Sequence, residues 1–127
     1  MNTLVNPTTI APPAASYSLA VRSTAGSEFL HTSGIVGTRP DGSIANNVGD
    51  QAAEIWRSLL VVLGEAGFAA TDIVSYTTYV LPAQELATVM AARDAALQGH
   101  RSASTLIVVP TLARAEWLIE IAVIAAR

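Results

Sequence analysis

The sequence predicts an α+β domain: a mixed sheet built in the order ββ-α-β-α-ββ, with two helices on one face. Three observations lead there. Residues 51–66 place apolar side chains at 52, 55, 56, 59, 60, 63 and 66, the spacing of one helix face. Residues 115–125 alternate instead, with Trp117, Ile119, Ile121, Val123 and Ala125 on one side, which is the period of a strand. The 127 residues show no repeat and no linker, so one domain over 1–127 is expected.

The elements follow in order. Met1–Ser16 is rich in Pro, Thr and Ala and reads as irregular. Tyr17–Ser23 reads as a strand, Thr24–Ser27 as a turn, and Glu28–Val36 as a second strand closing a hairpin. Gly37–Gly49 carries Pro40, Asp41–Gly42 and Asn46–Asn47, a loop composition. Asp50 is the expected N-cap of helix Gln51–Ala66, and Gly67 its stop. Ile73–Leu81 is β-branched and aromatic, hence a strand. Pro82 suits the first turn of a second helix, Ala83–Gln98, ended by Gly99. Ser104–Val109 is a strand, Pro110–Arg114 a connection, and Ala115–Ala125 the last strand.

Composition narrows the chemistry. Charged residues make up 13% of the chain, against about 25% in an average soluble domain. So little charge leaves apolar surface uncovered and favours an obligate oligomer. With no Cys, thiolate nucleophiles and Cys-ligated metals are excluded. All seven basic residues are Arg, which excludes a lysine Schiff base and a P-loop. Two His, His31 and His100, cannot make a three-histidine metal site in one chain. Neither a metal nor an organic cofactor is expected. A net charge of −3 argues against non-specific nucleic-acid binding. Nothing near Met1 resembles a secretory leader, and no apolar run approaches the ~18 residues of a membrane span. The expected setting is the cytoplasm, with no membrane partner.

The last strand holds the leading candidate. Its first face is apolar and should meet the helices. The other face, Glu116, Leu118, Glu120, Ala122 and Ile124, is too apolar for water yet holds a carboxylate in mid-strand. Strand 73–81 splits similarly: Val74, Tyr76, Thr78 and Val80 on one side, Ile73, Ser75, Thr77 and Tyr79 on the other. With two helices for one face, the simplest cover for the second is another subunit. Glu120 on that face must be paired, hydrogen-bonded or protonated. It reads as a general base in an intersubunit cleft, or as a structural Glu paired with an Arg. Gly34, near the end of the second strand, marks a bulge or lets a ligand or backbone come close. Trp56 and Trp117 read as packing residues.

Several stretches together resemble the RidA/YjgF family. Ser16–Tyr17–Ser18 with Ala20–Val21 resembles its PYSQAV-type stretch, and Phe29–Gly34 its F-x-S-G strand. Gln51–Gly67 is similar to its Q-x3-A-L helix, Asp72–Val80 to its D-V-V-K-T-T-V-F strand, and Glu85–Val89 to its D-F-x-x-V. Ile119–Val123 resembles its V-E-I-E-A, with Ala122 in place of the second Glu. No single motif is specific; their order and spacing are.

This resemblance implies a chorismate-mutase-like homotrimer with clefts between subunits. Many members hydrolyse reactive enamines and imines to a keto acid and ammonia. Carried over, the catalytic Glu falls on Glu120, the cleft Tyr on Tyr17, and the S-G pair on Ser33–Gly34, with Ile35 beside it. The family's P-A-R-S stretch reads Ser102–Ala103–Ser104–Thr105, so Ser104 replaces the Arg that clamps the substrate carboxylate, and Thr105 follows it in the binding wall. A common Asn of the second helix is Met90. A hydroxyl cannot replace a bidentate guanidinium, so the ligand is expected to be less acidic, larger or more apolar than an α-imino acid. Arg101, or Arg22 or Arg114 from a neighbouring subunit, are the other sources of that positive charge.

Two functions follow. The first is a small-molecule enzyme acting on an imine or enamine, or on a related hydrolytic or tautomerising step, with Glu120 as base or water orienter. The alternative is a non-catalytic trimeric module that binds a metabolite or another protein on the same scaffold. Ribonuclease activity, an old label on some members, is disfavoured by the negative net charge and the absence of Lys.

Overall fold

The computed structural model of the chain describes residues 2–24 and 28–127. Its strands are β1 (Thr3–Val5), β2 (Ala20–Arg22), β3 (Phe29–His31), β4 (Ile35–Val36), β5 (Ile73–Val80), β6 (Ala103–Val108) and β7 (Ile119–Ala126). Its α-helices are α1 (Val48–Glu65) and α2 (Leu86–Leu97), with a 3-10 turn at Ala70–Asp72. The main sheet runs β3-β7-β5-β6, and β4 continues the β3 edge along β7. β5 and β6 are parallel, and all pairings of β7 are antiparallel. The class is the predicted one, two helices on a mixed sheet.

β7 organises the core because its alternation is strict. Ile119, Ile121, Val123 and Ala125 are each at most 1% exposed and meet Ala52, Ile55, Trp56, Leu59 and Leu63 of α1 in one cluster. Val89 and Leu97 of α2 join it. Trp56 sets its ring edge-on to Tyr76, with centroids 5.5 Å apart, a favoured aromatic geometry. Among the described residues no helix is long and apolar enough to cross a membrane.

Several boundaries differ from expectation. The hairpin between 17–23 and 28–36 does not form. β2 pairs with β1, inside the stretch expected to be irregular, while β3 pairs with β7. Local turn signals lost here to long-range partners. β7 offers a long edge to β3, and the ribbon at the N-terminus is tied by side chains: Asn6 Oδ1 accepts from Leu19 N at 2.8 Å, and Asn2 Nδ2 donates to Ala126 O at 2.7 Å. Of the expected turn Thr24–Ser27, residues 25–27 lie outside the described residues.

Helix α1 starts a turn early. Asn47, not Asp50, caps it, with extended backbone and its Oδ1 accepting from Asp50 N at 2.8 Å. Asp50 returns the contact, its Oδ2 accepting from Asn47 Nδ2 at 2.9 Å. Asn47→Ala should therefore lower stability by about 1 kcal/mol, read as a shift in the urea midpoint without a change in slope. The far end closes as expected: Gly67 takes φ +79°, its N–H donates to Gly64 O, and Phe68 N–H donates to Leu63 O, a Schellman stop. Helix α2 begins later than predicted because Ala83 sits at φ 64°, which no right-handed helix admits.

Two strand details bear on faces. In β5 the register slips between Ile73 and Ser75, so Val74 is the extra residue of a bulge. Ile73 thereby turns into the core rather than joining Ser75, Thr77 and Tyr79. β7 begins at Ile119, so Trp117 is not a strand residue. It lies half-buried in the approach to β7, with the Arg114 guanidinium 5.6 Å over its ring.

Candidate active site on the open face of the sheet

Glu120 is the second residue of β7 and points away from the helices. Its cross-strand neighbours are Val36 on β4 and Tyr79 on β5, and Tyr79 in turn faces Ile107 on β6. The next row on the same face is Ala122, Thr77 and Thr105. Glu120 is half-buried on this surface, and among the described residues no partner for its carboxylate is found.

Gly34 is brought to Glu120 by a bulge in the opposite edge. Thr32 pairs with Val123 through its N–H and through its hydroxyl, which accepts from Val123 N at 2.9 Å. Ile35 pairs with Ile121. Three steps along one strand thus match two along the other, and Ser33–Gly34 bows out. A methyl group built on Gly34 would lie 2.7 Å from Glu120 Cδ and 3.0 Å from Cγ, and closer still to Oε2. The carboxylate occupies the space that a side chain at 34 would need. The expected bulge at Gly34 is present, and what comes close to it is the Glu120 side chain rather than a ligand or backbone.

The other candidates divide. Ser33 is exposed beside Gly34, and Thr105 shares the Glu120 face. Ile35 turns the opposite way and packs against the core. Ser104 stands beside Tyr76 on the helix side, one residue out of phase with Glu120. Met90 is half-buried on α2, in the helix layer behind the sheet. Tyr17 is fixed at the start of β6: the next residue, Ser18, donates its N–H to Ser102 O at 2.9 Å and its hydroxyl to Arg101 O. The Tyr17 hydroxyl oxygen accepts from Ala14 N at 3.2 Å. Within one chain, then, only Gly34 among the predicted site residues is shown against Glu120.

One residue was missed. Gln51 is fully buried, and its Nε2 donates to Ala45 O at 2.7 Å and to Glu116 O at 2.9 Å. Its Oε1 accepts from Leu118 N at 2.9 Å. One amide thereby ties the segment after β4 to the segment entering β7, on both sides of the Glu120 pair. The signal available was helical phase: Gln51 stands four residues before Ile55, on the face that also holds Val48, Ala52 and Leu59, where a polar side chain needs internal partners.

Charge elsewhere is locally settled. Hydrogen bonds from the Ser43 hydroxyl and N–H hold the Asp41 carboxyl below its usual range. Arg57 does the same for Glu54, donating from Nε at 3.0 Å. Among the described residues no three His, Asp or Glu side chains converge on a metal position, and no pocket is enclosed within the single chain.

The family model described as Endoribonuclease L-PSP matches residues 8–127. No curated protein matches. Among solved structures the chain is similar to YyfB of Yersinia pestis, a protein of unknown function of the conserved Rid protein family. The two share 30% identity and a TM-score of 0.91 over 99% of this chain and 98% of that one. It is similar to Escherichia coli TdcF, solved with bound serine, at 25% identity and TM-score 0.73, covering 96% of this chain and 93% of that one. Rv2704 of Mycobacterium tuberculosis, of the YjgF/YER057c/UK114 family, shares the fold at 22% identity and TM-score 0.70 over the full length of both chains.

Proposed function

The chain belongs to the endoribonuclease L-PSP family, the group of the YjgF/RidA proteins, and from that premise we propose a homotrimeric, cofactor-independent enzyme of the cytoplasm that hydrolyses an imine or enamine between subunits. Glu120 carries the reading: a carboxylate without a partner among the described residues, on two sheet rows that hold no other charged side chain, seated against a glycine. A second subunit would turn the open face into a cleft. Phe29, Ile107 and Ile124 stand 57%, 41% and 36% exposed there, apolar area suited to a partner copy. Tyr17, Ser33 and Thr105 would then line the cleft with Glu120. Small-molecule binding has a precedent in the serine complex of TdcF.

The chemistry asks little of the protein. Water attack on a protonated imine needs a positioned water and one base. Glu120 takes a proton from water as the oxygen bonds to the imine carbon, and the C=N π pair moves to nitrogen. Glu120 then returns that proton to the amino nitrogen of the carbinolamine. The C–N bond breaks with its pair leaving on ammonia, and Glu120, again a carboxylate, takes the hydroxyl proton as the carbonyl forms and passes it to solvent. An enamine enters the same route once solvent protonates its β-carbon.

The family's name also points to RNA cleavage. A polyanion needs neutralising cations, and the rows around Glu120 carry none. The deciding experiment generates imines in situ with amino-acid and amine oxidases and follows their lifetime by semicarbazide trapping. Added protein should shorten it; no acceleration across either panel rejects the reading. Gly34→Ala should lower turnover about 100-fold by displacing the carboxylate, with the trimer intact by sedimentation. Unchanged turnover would show that the Glu120 position is not critical.

A further inference from the structure

The charge pattern around Glu120 carries a statement about the substrate. Val36, Tyr79, Ile107, Ala122, Thr77 and Thr105 fill its own row and the next, and none is cationic. Five of the seven arginines are engaged elsewhere. Arg57 pairs with Glu54, Arg93 with Asp94 and Arg127 with Glu28. Arg114 lies over Trp117, and Arg39 donates to Ser43. Arg22 is on the β1–β2 ribbon and Arg101 precedes β6.

A half-buried carboxylate without a counter-charge favours a ligand that brings one. Covering Glu120 with a neutral ligand strips its water without replacement. Covering it with an anion adds like-charge repulsion. An iminium cation does the reverse: its N–H groups donate to the carboxylate, a charge-assisted contact, and its carbon is the electrophile that the Glu120-bound water attacks.

We propose that the site selects imines that carry no carboxylate, bound as iminium cations, over α-imino acids. The proposal rests on imine hydrolysis at Glu120 and names its substrate class: products of amine rather than amino-acid oxidation.

Two imines that differ only in the carboxylate make the test. One is released by amine-oxidase action on phenethylamine, the other by amino-acid-oxidase action on phenylalanine. Their clearance is measured for wild type and for Thr105→Arg, which places a guanidinium on the Glu120 face. Wild type should favour the carboxylate-free imine at least about tenfold in kcat/KM, and Thr105→Arg should shift that ratio at least about tenfold towards the α-imino acid. A wild type that clears both equally, or favours the α-imino acid, overturns the substrate class and leaves imine hydrolysis standing. A wild type that clears neither overturns both the class and the activity on which it rests.

Discussion

Glu120→Gln is expected to lower imine turnover by about 100- to 10,000-fold, the usual contribution of a positioned general base. The amide keeps the shape and hydrogen-bonding capacity of the side chain and cannot take up the proton of the attacking water. Because Glu120 has no partner to lose among the described residues, removing its charge should leave thermal stability unchanged or slightly raised. That separation makes the variant informative. A structural Glu paired with an Arg would show the opposite pattern, with stability falling and little else. Full turnover in Glu120→Gln, measured on protein of wild-type melting temperature, would remove Glu120 from the mechanism. Lost ligand affinity in a protein that never had turnover would favour a binding module on the same scaffold.

The face that holds Glu120 was legible because alternation is a local property. Ile119, Ile121, Val123 and Ala125 are buried as the period of two requires, and the carboxylate falls between them on the other side. What Glu120 touches was not legible. Its contact with Gly34 depends on one extra residue at Ser33–Gly34, and such a bulge fixes register between segments distant in sequence. The same physics explains Ile73. The bulge at Val74 rotated it into the core, against a strict count by twos. Ser104 shows the limit of matching by motif. Aligned with the family's clamp it should face the cleft, yet the β5–β6 register sets it beside Tyr76 and puts Thr105 on the Glu120 face. The failed hairpin has a related cause. Three-residue strands gain little from each other, and β7 was the better partner for Phe29–His31.

Gln51→Ala should be the most destabilising of the polar substitutions considered. It strands three backbone groups at once: Ala45 O, Glu116 O and Leu118 N. A fully buried group left without a partner costs roughly 1–3 kcal/mol; these three are part-buried and regain some water, so a loss of about 3 kcal/mol in all is expected, still a large share of a typical 5–15 kcal/mol. Urea unfolding at fixed protein concentration measures it, since assembly would make the midpoint depend on concentration. Gln51→Glu separates the causes. It keeps an acceptor for Leu118 N and replaces the donating nitrogen with an oxygen facing two carbonyls, so it should be at least as harmful as Ala despite its size. Were the loss merely one of volume, Gln51→Glu would retain most of the stability and Gln51→Ala would not. The consequence should reach the site as well. Leu118 is two residues from Glu120, and Ala45 closes the loop that leaves β4, so a variant folded well enough to assay should place its carboxylate less sharply. Turnover should then fall further than the folded fraction alone accounts for, and a fall matching the folded fraction would confine Gln51 to stability.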